Sequence, residues 1–195
     1  MLTSAALYAQ ENFHQQYIRA LGGYSRTGSG DLGGFMYGAE YSNYFGRQIS
    51  WSAGFNGFIY DGEEEILPVN YPNRRSDGSL RHTTAGVQVT AHLGLNVIKT
   101  AVHDLQFRVG PLVKYQSTSL DGYSITYPLV TNYPEPVVTF HNVNPQRTLA
   151  VGGSLQILYS YSINSKISIG ALAGAQTDTQ GDFIRQLSLT VGRKF

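Results

Sequence analysis

Histidines, carboxylates and hydroxyls are the side chains with which this chain could do chemistry, and their spacing decides whether it does. The five histidines, His14, His82, His92, His103 and His141, are scattered, with no HExxH pattern on a helix. The absence of cysteine excludes a thiolate metal site and a disulfide framework. The stretch "RHTT" (81–84) sets His82 beside Thr83 and Thr84, with Asp77 and Ser79 upstream. A hydroxyl relay needs a base that takes the proton and an acid that orients the base. Neither His-x-Ser-Asn nor GxSxG occurs, so His82 reads as a loop or interface residue. "DTQGD" (178–182) is faintly like a calcium loop but lacks the remaining ligands, and reads as a tight hairpin. "GSGDLGG" (28–34) lacks the Lys-Ser/Thr of a phosphate loop and reads as a flexible turn. No catalytic site, metal or cofactor is expected, and the chain reads as a non-enzyme.

The elements that hold these residues are sheet. The chain has 195 residues, of which 14% are charged, against the roughly 25% usual for soluble domains. Gly (22), Tyr (14) and Phe (9) are abundant. A net charge of +1 provides no electrostatic case for nucleic acid. No apolar run approaches the ~18 residues of a membrane helix, which leaves a membrane β-barrel open because its spans alternate. Period-two segments recur and predict eight strands: 15–25, 34–43, 48–60, 82–97, 105–116, 147–160, 166–177 and 183–195. In the third, Ile49, Trp51, Ala53, Phe55, Gly57 and Ile59 share one face against Ser50, Ser52, Gly54 and Asn56. Pro111 lacks a ladder donor and predicts a bulge or break in strand five.

Connections alternate in length. Short ones fall at 44–47, 98–104 and 161–165, and the long ones at 61–81 and 117–146. Short turns at one end and long loops at the other fit an eight-stranded antiparallel up-and-down transmembrane β-barrel. A soluble eight-stranded barrel would turn apolar residues inward and a charged face to water. Here only Glu40, of 13 acidic residues, falls inside a predicted strand, and the polar faces are mostly Ser, Thr, Gly, Gln and Asn. Small polar side chains suit a narrow interior, and the aliphatic and aromatic face then meets lipid. Tyr41, Phe45, Trp51, Phe107, Tyr159, Tyr161 and Phe195 fall near the short-turn ends, as an interfacial girdle would.

The last strand carries Leu187, Leu189, Val191 and the terminal Phe195 at outward positions, with Ser188, Thr190 and Gly192 inward. On this strand and the strand pattern over residues 15–195, the chain resembles the small Gram-negative outer-membrane β-barrel family, the OmpX- and OmpA-transmembrane-domain-like group. The resemblance implies the cell outer membrane as the location, with outer-membrane lipids and lipopolysaccharide as neighbours. It also implies that Leu187, Leu189, Val191 and Phe195 form the signal read by the barrel-assembly machinery. The family has an aromatic residue two positions before the end, where this chain has Arg193. Residues 1–10 read as a signal-peptide remnant, with cleavage after Ala9, or as an ordinary terminus; 11–195 form the barrel domain.

On the inward face the pattern places Arg19, Glu40, His92, Arg108 and Lys114. Burial of an unpaired charge is costly, so Glu40 is expected to pair with Arg19 or Arg108 in a lumen-filling polar network, with a gate or proton-linked pore as the alternative. In the long loops, Asn70-Tyr71-Pro72 and Asn132-Tyr133-Pro134 repeat a tripeptide. Tyr71, Tyr123, Tyr127, Tyr133 and Phe140 are candidates for a lid or recognition surface; ordinary turn composition explains the tripeptide equally well. Glu63–Glu65 read as solvated, or as bridged to lipopolysaccharide by divalent cations. The expected role is an envelope structural component, or a recognition or complex subunit that meets an envelope protein through its loops. An OmpW-like conduit for small apolar molecules and a lipid A-modifying barrel enzyme are the alternatives.

Overall fold

Alternation becomes a wall in the computed structural model, which describes residues 14–28, 32–46, 48–65, 69–71, 74–76, 79–119, 121–126 and 137–195. Eight long strands close a barrel: β1 (His14–Thr27), β2 (Gly33–Phe45), β3 (Ile49–Glu65), β6 (Ser79–Lys99), β7 (His103–Thr118), β10 (Gln146–Ser162), β11 (Ile167–Asp178) and β12 (Phe183–Lys194). All are antiparallel to their neighbours, in the order β1-β12-β11-β10-β7-β6-β3-β2. The seam is the β1–β12 ladder, which runs in register from Tyr17↔Lys194 to Thr27↔Ile184. Backbone groups that would otherwise stand unpaired at two sheet edges are thereby bonded, which is what a hydrocarbon surrounding demands.

Two faces follow from the pleat. Leu189 is 74% exposed, and Leu187, Val191 and Phe195 beside it are exposed as well, while Ser188 and Thr190 are buried. Val87, Val89, Leu93 and Leu95 of β6 point out in the same way, with Gln88, Thr90 and His92 buried between them. Phe45, Phe107, Tyr159 and Tyr161 are exposed, and Tyr41 packs on Trp51 with ring centroids 5.5 Å apart. An apolar exterior around a polar interior is the reverse of a water-soluble barrel.

The structure corrects the sequence reading in two places and narrows it in a third. β3 and β6 run beyond the expected 60 and 82, so Asp61 and Glu63 stand on strand and not in a loop. The long connections also hold strand pairs of their own: β4 (Val69–Tyr71) with β5 (Arg74–Ser76), and β8 (Asp121–Thr126) with β9 (Val137–Asn142). Of the bulge or break expected at Pro111, the structure shows a break in one ladder and no bulge. β7 passes through Pro111, paired with Gly153 on one side, and the pairing with β6 lapses opposite it before resuming in the same register at Leu93↔Val109. The missing N–H explains the lapse. The irregularity in this ladder lies at Asn96/Ile98, next to the short turn. Residues 1–13, and with them the signal-peptide reading, lie outside the described residues.

Candidate functional site

The interior is built from inward positions of the barrel strands. Arg19 and Glu40 are direct cross-strand partners on β1 and β2, so register alone brings them together. Arg19 Nη1 stands 3.4 Å from Glu40 Oε1. Arg108, from the far wall, donates through Nη1 to both Glu40 oxygens at 2.8 Å. Arg19 also donates to Ser42, and to the Tyr44 hydroxyl at 3.0 Å, while Arg108 bonds Gln106. All three charged groups are buried. Such a cluster ties opposite walls together across the axis.

Towards the short turns the cluster continues through residues that the sequence reading did not select. The Tyr44 hydroxyl donates to Asp104 Oδ2 at 2.7 Å, and Lys99 Nζ donates to the same oxygen at 2.9 Å. Lys99 lies 3.6 Å from the Tyr44 ring centroid and Arg19 lies 4.2 Å from that of Tyr17, so the rings face cations. The sequence pattern puts Asp104 in a turn, whereas it is the first inward residue of β7, two before Gln106 and four before Arg108. That parity was readable. So was that of Tyr17 and Tyr44, which lie in phase with Arg19 and with Glu40, although β-propensity alone makes aromatics equally at home on either face.

Towards the loops, Lys114 is fully buried and pairs with Asp178 at 2.5 Å and Asp182 at 2.7 Å. The "DTQGD" hairpin is thus a turn, with Gly181 at φ +82°, whose two carboxylates reach back into the barrel. Beneath it Gln88 and Gln176 exchange amide hydrogen bonds at 3.2 and 2.9 Å. Met36, Phe58, Tyr60 and Ile184 form an apolar cluster at the same end, with Leu32 against it.

His92 shares a 2.7 Å hydrogen bond with Ser154. A histidine beside a hydroxyl is half of a nucleophilic relay. Both side chains are buried, and the Ser154 hydroxyl also donates to the Gly110 carbonyl at 3.4 Å. His82 is not joined to Thr83, whose hydroxyl donates to Asp61 at 2.7 Å. No group of three or more metal-ligating side chains occurs among the described residues.

The loop candidates divide. Tyr123 on β8 is exposed and pairs in register with Phe140 on β9; Tyr71 ends β4; Tyr127 and Tyr133 lie outside the described residues. At the same rim Asp61, Gly62, Glu63, Arg81 and Thr83 line an open polar hollow of about 460 Å³.

A closed eight-stranded wall, apolar outside and polar within, defines an outer-membrane β-barrel. No family model and no curated protein matches the chain. Solved structures do. The chain is similar to Ail, the attachment invasion locus protein of Yersinia pestis, with a TM-score of 0.56 and 12% identity over 93% of this chain and 99% of that one. Neisserial surface protein A superposes with a TM-score of 0.53 and 12% identity, over 92% of this chain and 97% of that one. The N-terminal β-barrel domain of Pseudomonas aeruginosa OprF does so with a TM-score of 0.50 and 10% identity, over 93% and 97%. The fold is that of the small Gram-negative outer-membrane barrels.

Proposed function

We propose that the protein is a non-enzymatic barrel that acts through its outward parts, as an envelope structural component or as a recognition or complex subunit. The observation that supports this reading is Glu40 held between Arg19 and Arg108 across the axis, in an interior filled by buried side chains. A conduit needs mobile contents, and charge clamped from opposite walls resists opening. The β4–β5 and β8–β9 hairpins then offer contact surface, with Tyr123 exposed on the second. Phe195 and the outward residues before it serve as the assembly signal in this reading. A photo-crosslinking residue at Tyr123 in intact outer membranes tests the role. Protein adducts from this position, and only lipid adducts from Val151 on the wall, are expected; lipid adducts alone from both positions would refute recognition through the hairpin.

A further inference from the structure

Positive charge is in surplus at the short-turn end of the lumen. Among the described residues four cations point inward there, Arg19, Lys99, Arg108 and Lys194, against two carboxylates, Glu40 and Asp104. Glu40 is held by Arg19 and Arg108, and Asp104 by Lys99 and the Tyr44 hydroxyl. Lys194 is left with a hydroxyl, since its ammonium donates to Ser162. Among the described residues no carboxylate lies within ion-pair distance of it, although only 9% of its surface is exposed. A cation enclosed among neutral groups is costly, because they do not restore the hydration it has lost.

Register gathers these groups at the opening. Lys194 is the Cα partner of Tyr17 across the β1–β12 seam. Three cations surround the Tyr17 ring, with Arg19 at 4.2 Å, Lys99 at 5.3 Å and Lys194 at 5.6 Å from its centroid. A ring attracts a cation over its face, but three positive groups around one ring also repel each other. Two residues before Lys194, Gly192 pairs with Arg19 on β1 and with Ser168 on β11, and Ser168 pairs with Ser162 on β10. That row sets two hydroxyls beside the guanidinium, one inward step deeper than Lys194. Arg19 Nε, a buried donor, has no hydrogen-bond partner among the described residues. Gln15, Lys99 and Ser162 are half-buried at the edge of the lumen, so the cluster is reached from the short-turn side. In an outer-membrane barrel that side faces the periplasm.

A dianion balances a surplus of two charges, and donors on five strands suit a tetrahedral group with several acceptor oxygens. We propose that Lys194, Lys99 and Arg19, with the Ser162 and Ser168 hydroxyls, bind a soluble phosphate-class dianion at the short-turn mouth of the barrel. A lipid headgroup is the poorer source of the same chemistry. The donors all point inward, while the outer face at this height carries the exposed Ile18, Phe45 and Phe195. The anion relieves the repulsion around Tyr17 and ties both seam strands to the walls beside them.

Phosphorus NMR of inorganic phosphate, titrated with the full chain folded in a non-ionic detergent, tests this. Wild-type protein is expected to broaden the phosphate line saturably, and sodium chloride at equal ionic strength to leave the broadening in place. A charge-assisted hydrogen bond is worth about tenfold or more in affinity, so Lys194→Gln is expected to bind phosphate at least about tenfold more weakly. Lys166→Gln removes an exposed cation from the turn at the same end and is expected to bind as wild type does. Binding by K194Q within about twofold of wild type would overturn the proposal. So would loss of the broadening in chloride, which would mean general attraction to a basic rim. Phosphatidylglycerol added to the micelles is expected not to displace phosphate; displacement would assign the site to a lipid headgroup and refute the soluble ligand. Heat-modifiable migration reports whether each variant has folded. Should K194Q not fold, the two competitions on wild-type protein decide by themselves: broadening that persists supports the site, and its loss refutes it.

Discussion

Glu40→Gln strikes the centre of the interior. The carboxylate is the group that faces both Arg19 and Arg108, at 3.4 and 2.8 Å, and all three side chains are at most 5% exposed. Without it two guanidinium charges face each other inside the barrel. Removal of one partner from a buried ion pair costs about 3–5 kcal/mol, because the remaining charge is left desolvated. Arg19 keeps Ser42 and Tyr44, and Arg108 keeps Gln106, which places the loss near the lower figure, about 3 kcal/mol. Urea unfolding in phospholipid vesicles, followed by the fluorescence of the single tryptophan, Trp51, reads this directly. At a slope of ~1–3 kcal/mol per molar, the midpoint falls by about 1–3 M. The double variant E40Q/R108M removes one orphaned cation and regains at least half of the loss. A Glu40→Gln variant within about 0.5 kcal/mol of wild type would refute the reasoning, since it would mean that the interior is hydrated well enough to screen a lone charge.

Three further outcomes follow from the same structure. Lys114→Met leaves Asp178 buried beside Asp182 without its cation and costs about 3 kcal/mol, and Asp178→Asn in the same chain recovers part of it, both measured by urea midpoint. Gly110→Ala sets a β-carbon 1.8 Å from the Ala91 carbonyl oxygen, where backbone must move, and destabilises by about 1–3 kcal/mol in the same assay. Leu189→Arg, midway between Arg185 and Arg193 on the outer wall, costs about 2–4 kcal/mol in vesicles; a cost below about 0.5 kcal/mol, ordinary for a water-facing position, would contradict the outward orientation.

What could be read in advance was the wall. Alternation in β3, β6 and β12 is strict enough that strand, face and closing seam all follow from period two. The interior was legible where a charge sat mid-strand, as Arg19, Glu40 and Arg108 do. It was illegible at strand ends. Asp104 and Asp178 stand where turn residues and strand residues share a composition, so carboxylates that reach inward look like solvated loop groups. Parity carries the missing signal, because Asp104 lies in phase with Gln106 and Arg108, and Asp178 with Gln176. Tyr17 and Tyr44 carry the same signal. Residue type alone does not separate a ring that faces lipid from one that faces a guanidinium, but phase does: Tyr17 falls in step with Arg19 and Tyr44 with Glu40, whereas Tyr24 and Phe45 fall on the opposite phase. The short strands β4, β5, β8 and β9 fall in proline-rich stretches, and their pairing depends on the long hairpins that carry them.

The claim at the centre of this account is that buried side chains, with Glu40 clamped between Arg19 and Arg108, close the lumen and leave function to the outside. Planar-bilayer recording of the folded, detergent-purified protein tests it most directly. Reconstituted wild-type protein is expected to give no steady conductance, and Glu40→Gln at most brief openings. A steady open level from the wild-type barrel would contradict the account.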